Sequence, residues 1–208
     1  MKLGVEQKNK IFAIIFIFII SISIATMFHE IGHAISYLFF GCSLPVPMVS
    51  PFIIGQTFCN SPEGWYNTIN NFQDIIMTFA GPGFVSLIGL ILFLIFKKSN
   101  YIRKHWVLAF IFYFLIFNFL LNGSLQFISG GDHSYLVGLG INPIYLWSIG
   151  IFLLLILSYH TIKFKELMQL SESRIKEKTA NKLRNCFLVL FVIICVAYLV
   201  FPLIYYLF

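Results

Sequence analysis

Long apolar runs separated by short polar stretches set the architecture of this chain. Five runs, residues 11–40, 72–96, 106–128, 143–162 and 186–208, are long enough to cross a hydrocarbon core of roughly 30 Å, which takes about 20 helical residues. They are continuously apolar and lack the every-second-residue alternation of a membrane strand, so a barrel is excluded and a helical bundle is expected. The segment between the first two runs, residues 41–71, differs. It carries Pro45, Pro47, Pro51 and Pro62 among β-prone residues such as Val49, Phe52, Ile53 and Ile54, a pattern of extended chain and turns. The expectation is one all-α, polytopic membrane domain over residues 1–208, with about five transmembrane helices and a short β-hairpin-like outer loop.

Composition narrows this further. A chain of 208 residues that is 59% hydrophobic and 11% charged has too little polar surface for a soluble domain, so its solvent is the lipid bilayer. The net charge of +6 would suit nucleic acid if the basic residues were clustered on a soluble face, but they lie in the connections. All 14 fall before the first run, between the second and third, or in residues 163–184, while residues 41–71 and 129–142 have none. Basic loops stay cytoplasmic, so the N-terminus is expected inside and the C-terminus outside. The basic loop 163–184 is expected to be a solvated cytoplasmic helix. The basic N-terminus and the Ser-Ile-Ala before Thr26 also resemble a signal peptide, but cleavage there would strip the polar cluster at His29 of its span, so an uncleaved anchor is expected.

The candidate chemistry lies inside the first run. In His29-Glu30-Ile31-Gly32-His33 the i, i+4 spacing sets two imidazoles about 40° apart on one helix face, where they can share a metal ion. Glu30 projects from an adjacent side and can act as general base toward a water acidified by Zn²⁺. The plain alternative is a set of polar residues satisfied by neighbouring helices. Three ionisable groups within five residues of a span cost several kcal/mol unless something offsets them. His29 stands 19 residues after Lys10, about 28 Å along a helix, which puts the site toward the outer leaflet.

A tetrahedral catalytic metal wants a third protein ligand. On the outer side the candidates are Glu63, Asp74, Asp132 and His133. Glu63 in its Pro-Glu-Gly turn reads as solvated and Asp74 as a helix-start charge, which leaves Asp132 ahead of His133. Gly130 and Gly131 would let the backbone approach a metal, although a glycine pair is also an ordinary helix stop. Asn118, Asn122 and Gln126 recur at i, i+4 and i+8, a polar stripe that either contacts substrate or a developing oxyanion or ties helices together. His133 is a further candidate contact. Cys42 and Cys59 share the outer loop, and the sequence leaves open whether they are bonded.

Three features resemble the site-2 protease family of intramembrane zinc metalloproteases: Phe28-His29-Glu30-Ile31-Gly32-His33-Ala34 within a span, Ala80-Gly81-Pro82-Gly83 in the next, and Asp132 after a later span that contains asparagines. The resemblance covers roughly residues 11–140. It implies zinc bound by His29, His33 and Asp132, one ion per chain, with Glu30 as catalytic base. The family's usual Asp-Gly is here Asp132-His133, and many relatives hold their metal near the cytoplasmic face. Prenyl-protein endopeptidases share the His-Glu-x-x-His motif but use a distal glutamate. The small residues Ala80, Gly81, Gly83, Ser86 and Gly89 suit close helix packing as well as a direct role at the site.

These readings converge on a zinc endopeptidase that hydrolyses peptide bonds of a membrane protein or membrane-associated peptide. Two rivals come from other classes. A non-catalytic zinc-binding membrane protein, such as a chaperone or immunity-like factor, would keep the ligands and act by binding. A transporter would use the intramembrane ionisable groups without proteolysis. Substrate, trigger and oligomeric state leave no mark in the sequence.

Overall fold

Backbone groups in hydrocarbon have no water to pair with, so an apolar run of spanning length must satisfy its N–H and C=O groups within itself. The computed structural model describes residues 5–49, 55–60, 69–163, 185 and 189. Among these, four helical stretches are long and apolar enough to cross a membrane: Phe12–Phe39, Asn71–Lys98, Val107–Gly138 and Pro143–Ile162. The chain is a helical membrane protein. The expected fifth span at 186–208 and the basic connection at 163–184 lie outside the described residues, apart from residues 163, 185 and 189.

In chain order the elements are α1 (Val5–Phe39), β1 (Pro45–Val49), β2 (Gly55–Cys59), α2 (Asn71–Lys98), α3 (Asn100–Lys104), α4 (Trp106–Ile128), α5 (Gly131–Gly138) and α6 (Pro143–Ile162). Local chemistry fixes the boundaries. At the start of α2, Asn70 accepts from the Gln73 N–H at 2.9 Å and the Gln73 side chain accepts from the Asn70 N–H at 3.0 Å, a reciprocal capping box. Asn142 caps α6 by accepting from the Ile144 N–H at 3.0 Å, with Pro143 pre-set for the first turn. The stop of α1 is Gly41, whose φ of 90° lets the Cys42 N–H return to the Tyr37 carbonyl at 2.9 Å.

Two short helices occupy segments that read as plain connections. Ser99 caps α3 through the Ile102 N–H. In residues 129–142 the chain leaves α4, passes through extended Gly130 and winds into α5. This second helix matters most, because its first turn carries Asp132.

The hydrophobic effect does not drive helices together in lipid, so packing rests on close contact and interhelical hydrogen bonds. α4 is the central post. It packs against α1, α2 and α6, and 67% of its most apolar window is buried, against 28–33% for the other three spans. Its core includes Phe110, Tyr113, Phe114, Phe117 and Leu120. The Asn118 amide donates to the Ser21 hydroxyl of α1 and to the Phe114 carbonyl. Where α1 crosses α2, Gly32 lies so close to Ala80 and Gly81 that a Cβ would stand 2.5 Å from the Ala80 carbonyl oxygen.

The described part of the segment 41–71 contains the expected hairpin. β1 and β2 pair antiparallel from Pro45↔Cys59 to Val49↔Gly55 and pack against α1. Cys42, just past the end of α1, is disulfide-bonded to Cys59 at the end of β2, with 5.8 Å between Cα atoms. Closing a loop of this size stabilises by about 3 kcal/mol and pins the hairpin to the helix it covers.

Because Asn118 ties helices and does not reach the metal-ligand cluster, Asn118→Ala should lower stability in detergent by about 0.5–1 kcal/mol while metal content stays at the wild-type level. Thermal unfolding and elemental analysis of the same preparation check both parts.

Candidate metal centre

The site is assembled from α1, α5 and α2. On α1, His29 and His33 sit one turn apart and are 4% and 8% exposed. Their Nε2 atoms are 3.1 Å apart. The first turn of α5 brings the Asp132 Oδ2 to 3.0 Å from His29 Nε2 and 3.6 Å from His33 Nε2. The helix N-terminus behind Asp132 favours its negative charge. Among the described residues, this is the one group of three His, Cys, Asp or Glu side chains whose donor atoms gather closely enough for a metal ion.

The donor set fits a small divalent cation on its own geometry. His33 donates its Nδ1–H to the Met77 carbonyl at 2.8 Å, so in the neutral ring Nε2 carries a bare lone pair. That lone pair faces His29 Nε2 and a carboxylate oxygen, three atoms that a cation at their centre would satisfy together. Ligands about 2.0–2.1 Å from a tetrahedral zinc stand roughly 3.3 Å apart, close to the spacing here. The Met77 bond is the outer-shell contact that typically orients a metal-binding imidazole. Among the described residues, the other ring nitrogen of His29 is buried without a hydrogen-bond partner.

α2 shapes the site with its Ala80-Gly81-Pro82 stretch. A Cβ on Gly81 would run into the His33 imidazole, so this glycine makes the space that the second ligand occupies. Pro82 lacks an N–H and cannot complete the helical bond to residue 78, in the same turn as the Met77 carbonyl that orients His33. Packing and site roles are therefore combined in this stretch.

A cavity of about 680 Å³ opens over the cluster. Its wall includes Thr26, His29, Glu30 and His33 from α1, Gly55 to Phe58 from β2, Asp74 and Thr78 from α2, Asn122 and Gln126 from α4, and Asp132 and Tyr135 from α5. The Asn122 Oδ1 and Gln126 Oε1 atoms are buried and have no hydrogen-bond partner among the described residues. The Glu30 carboxylate is 4% exposed as a residue and accepts the Thr57 hydroxyl at 2.8 Å.

The structure thus gathers His29, Glu30, His33, Asp132 and Asn122 around one cavity. It places two other candidates elsewhere. Asn118 is a full stripe-step away, bonded to Ser21. His133 is engaged elsewhere: its Nδ1 donates to the Phe127 carbonyl at 2.9 Å and its ring stacks on Trp147. Asp74 lines the cavity wall and accepts the Tyr135 hydroxyl at 2.9 Å, outside the donor cluster. Glu63 lies outside the described residues. Of the glycine pair, Gly130 is confined by the Gln126 side chain, whereas Gly131 has open space where a Cβ would stand.

Sequence reading missed Thr57, Gly55 and the Met77 carbonyl. A carbonyl leaves no mark in a sequence. Gly55, Thr57 and Cys59 do share one face of a period-2 strand, a signal that becomes usable only once the hairpin is known to lie on α1.

No family model, curated protein or solved structure matches this chain.

Gly81→Val should push the His33 ring from its place and weaken metal binding by about 10- to 100-fold, the range seen for outer-shell changes. Gly83→Ala, whose added Cβ would meet only the Phe79 ring at 3.2 Å, should not. Competition with a chromophoric chelator measures both.

Proposed function

We propose that this protein is a zinc-dependent endopeptidase that cleaves peptide bonds of membrane-associated substrates within or beside the bilayer. The observation that carries the reading is the convergence of His29 Nε2, His33 Nε2 and Asp132 Oδ2 at the base of a cavity that also holds the Glu30 carboxylate. Two imidazoles and one carboxylate are the donor set of a catalytic zinc with an open position. A purely structural zinc site would be closed by a fourth protein ligand.

When bound, zinc supplies Lewis acidity: it acidifies a water to near-neutral pKa and polarises the scissile carbonyl. The protein's own groups do the rest. Glu30 takes the proton from the attacking water and returns it to the amine nitrogen as the peptide bond breaks. Asn122, which lines the cavity and whose side-chain oxygen has no partner among the described residues, would accept from the substrate backbone or donate its amide N–H to the carbonyl oxygen as it becomes negative. His33 is kept in the ligating tautomer by Met77.

An intact helix hides its carbonyls in i to i+4 bonds, so the substrate must be extended at the cleaved bond. β2 borders the cavity, and strand addition along its edge would hold such a segment. The basic-residue pattern and the Cys42–Cys59 disulfide, which forms in oxidising compartments, both favour a hairpin and metal site on the outer side of the membrane.

The test is Glu30→Gln, which keeps shape and ligands and removes the base. Purified in detergent, it should retain about one zinc per chain and lose cleavage of a membrane-peptide substrate by about 100-fold or more. Wild-type protein that holds zinc and cleaves nothing would instead favour a zinc-dependent binding protein.

A further inference from the structure

The inward face of β2 consists of Gly55, Thr57 and Cys59, and each meets the helix that carries the ligands or its exit. The Thr57 hydroxyl lies 2.8 Å from Glu30 Oε2 and 3.0 Å from the Glu30 backbone carbonyl, so it spans the side chain and main chain of one residue. Gly55 lies beside the other oxygen: a Cβ there would collide with Glu30 Oε1 and approach Cγ to 2.5 Å. Cys59, two residues beyond Thr57, fixes the strand covalently to Cys42 at the end of α1. The carboxylate is thus enclosed by a strand that has a donor at one oxygen and no side chain at the other.

We propose that Thr57 is a positioning residue for Glu30, holding one carboxylate oxygen so that the other faces the cavity as the proton acceptor. This inference rests on the proteolytic reading above for its kinetic consequence, but the contact itself does not. A glutamate side chain has three rotatable bonds and gains catalytic power as a base only when its oxygen is held within hydrogen-bond reach of the water. The Thr57 hydroxyl supplies that restraint by donating a hydrogen bond and transfers no proton. Because the donor is on the hairpin and not on a helix, the base is set by the docking of β2, whereas the ligands are set by helix packing.

The experiment compares Thr57→Val, which keeps the shape and removes the hydroxyl, with Thr57→Ser, which keeps the hydroxyl, in the full-length protein in detergent. Zinc content should be unchanged in both. Thr57→Val should lower kcat by about 10- to 100-fold with KM unchanged, and Thr57→Ser should recover to within about threefold of wild type. A normal kcat in Thr57→Val, a rise confined to KM, or a Thr57→Ser variant as impaired as Thr57→Val would each overturn the proposal.

Thermal unfolding on two backgrounds separates this proposal from the proteolytic reading. Thr57→Val should lower the unfolding midpoint of the wild type by more than that of Glu30→Ala, in which only the hydroxyl's bond to the backbone carbonyl of residue 30 is left to lose. Equal shifts on both backgrounds, or a larger one on Glu30→Ala, would overturn the side-chain contact even if the wild-type protein cleaved nothing, and a larger shift on the wild-type background would support it in the same circumstance.

Discussion

Inside an apolar bundle, the convergence of two imidazole nitrogens and a carboxylate oxygen to 3.0–3.6 Å carries a burial cost that a positive charge among them offsets. That constraint organises this molecule. It requires α1 to bring His29 and His33 to the same side, α5 to turn back after α4 so that Asp132 reaches them, and α2 to come close enough for its Met77 carbonyl to hold one ring. The small residues at the α1–α2 crossing follow from it. Gly81 gives up its side chain to the His33 ring, and Gly32 lets the two backbones approach. Apolar packing around α4 supplies the rigid frame, but that packing alone does not call for a histidine pair within the core.

The arrangement divides labour between two kinds of scaffold. The candidate ligands His29, His33 and Asp132 stand on helices, where lipid-enforced backbone pairing makes positions stiff. Glu30, the proposed base, also stands on a helix, yet its carboxylate is held from a two-stranded hairpin clipped by a disulfide. On the proposed function, metal affinity and catalytic competence would therefore vary separately, the first with helix packing and the second with how the hairpin sits. A cavity lined by both β2 and side-chain amides of α4 would, on the proposed function, offer donors and acceptors to an extended peptide backbone.

Much of this was legible before any coordinates. α4 and α6 begin and end where the apolar runs at 106–128 and 143–162 do, because in lipid hydrophobic length and helix length are nearly the same quantity. The histidine pair was legible because its geometry is local: four residues on a helix always return to one face. Asp132 was one of several candidates, since a ligand about a hundred positions away is chosen by tertiary contact, and the turn of helix that aims it occupies a segment read as a loop. The i, i+4, i+8 stripe was split by depth along α4, with Asn118 bonded to Ser21 and Asn122 in the cavity, a difference that periodicity does not encode. Thr57 was illegible, because its meaning depends on which face of the hairpin docks on α1.

Zinc K-edge X-ray absorption of the protein purified in detergent tests the central claim most directly. One zinc per chain should be found, with two imidazole nitrogens and carboxylate or water oxygens in a first shell at about 2.0–2.1 Å and no sulfur. Protein that carries no zinc after purification and reconstitution, or a zinc whose shell contains sulfur or a single imidazole, would contradict it.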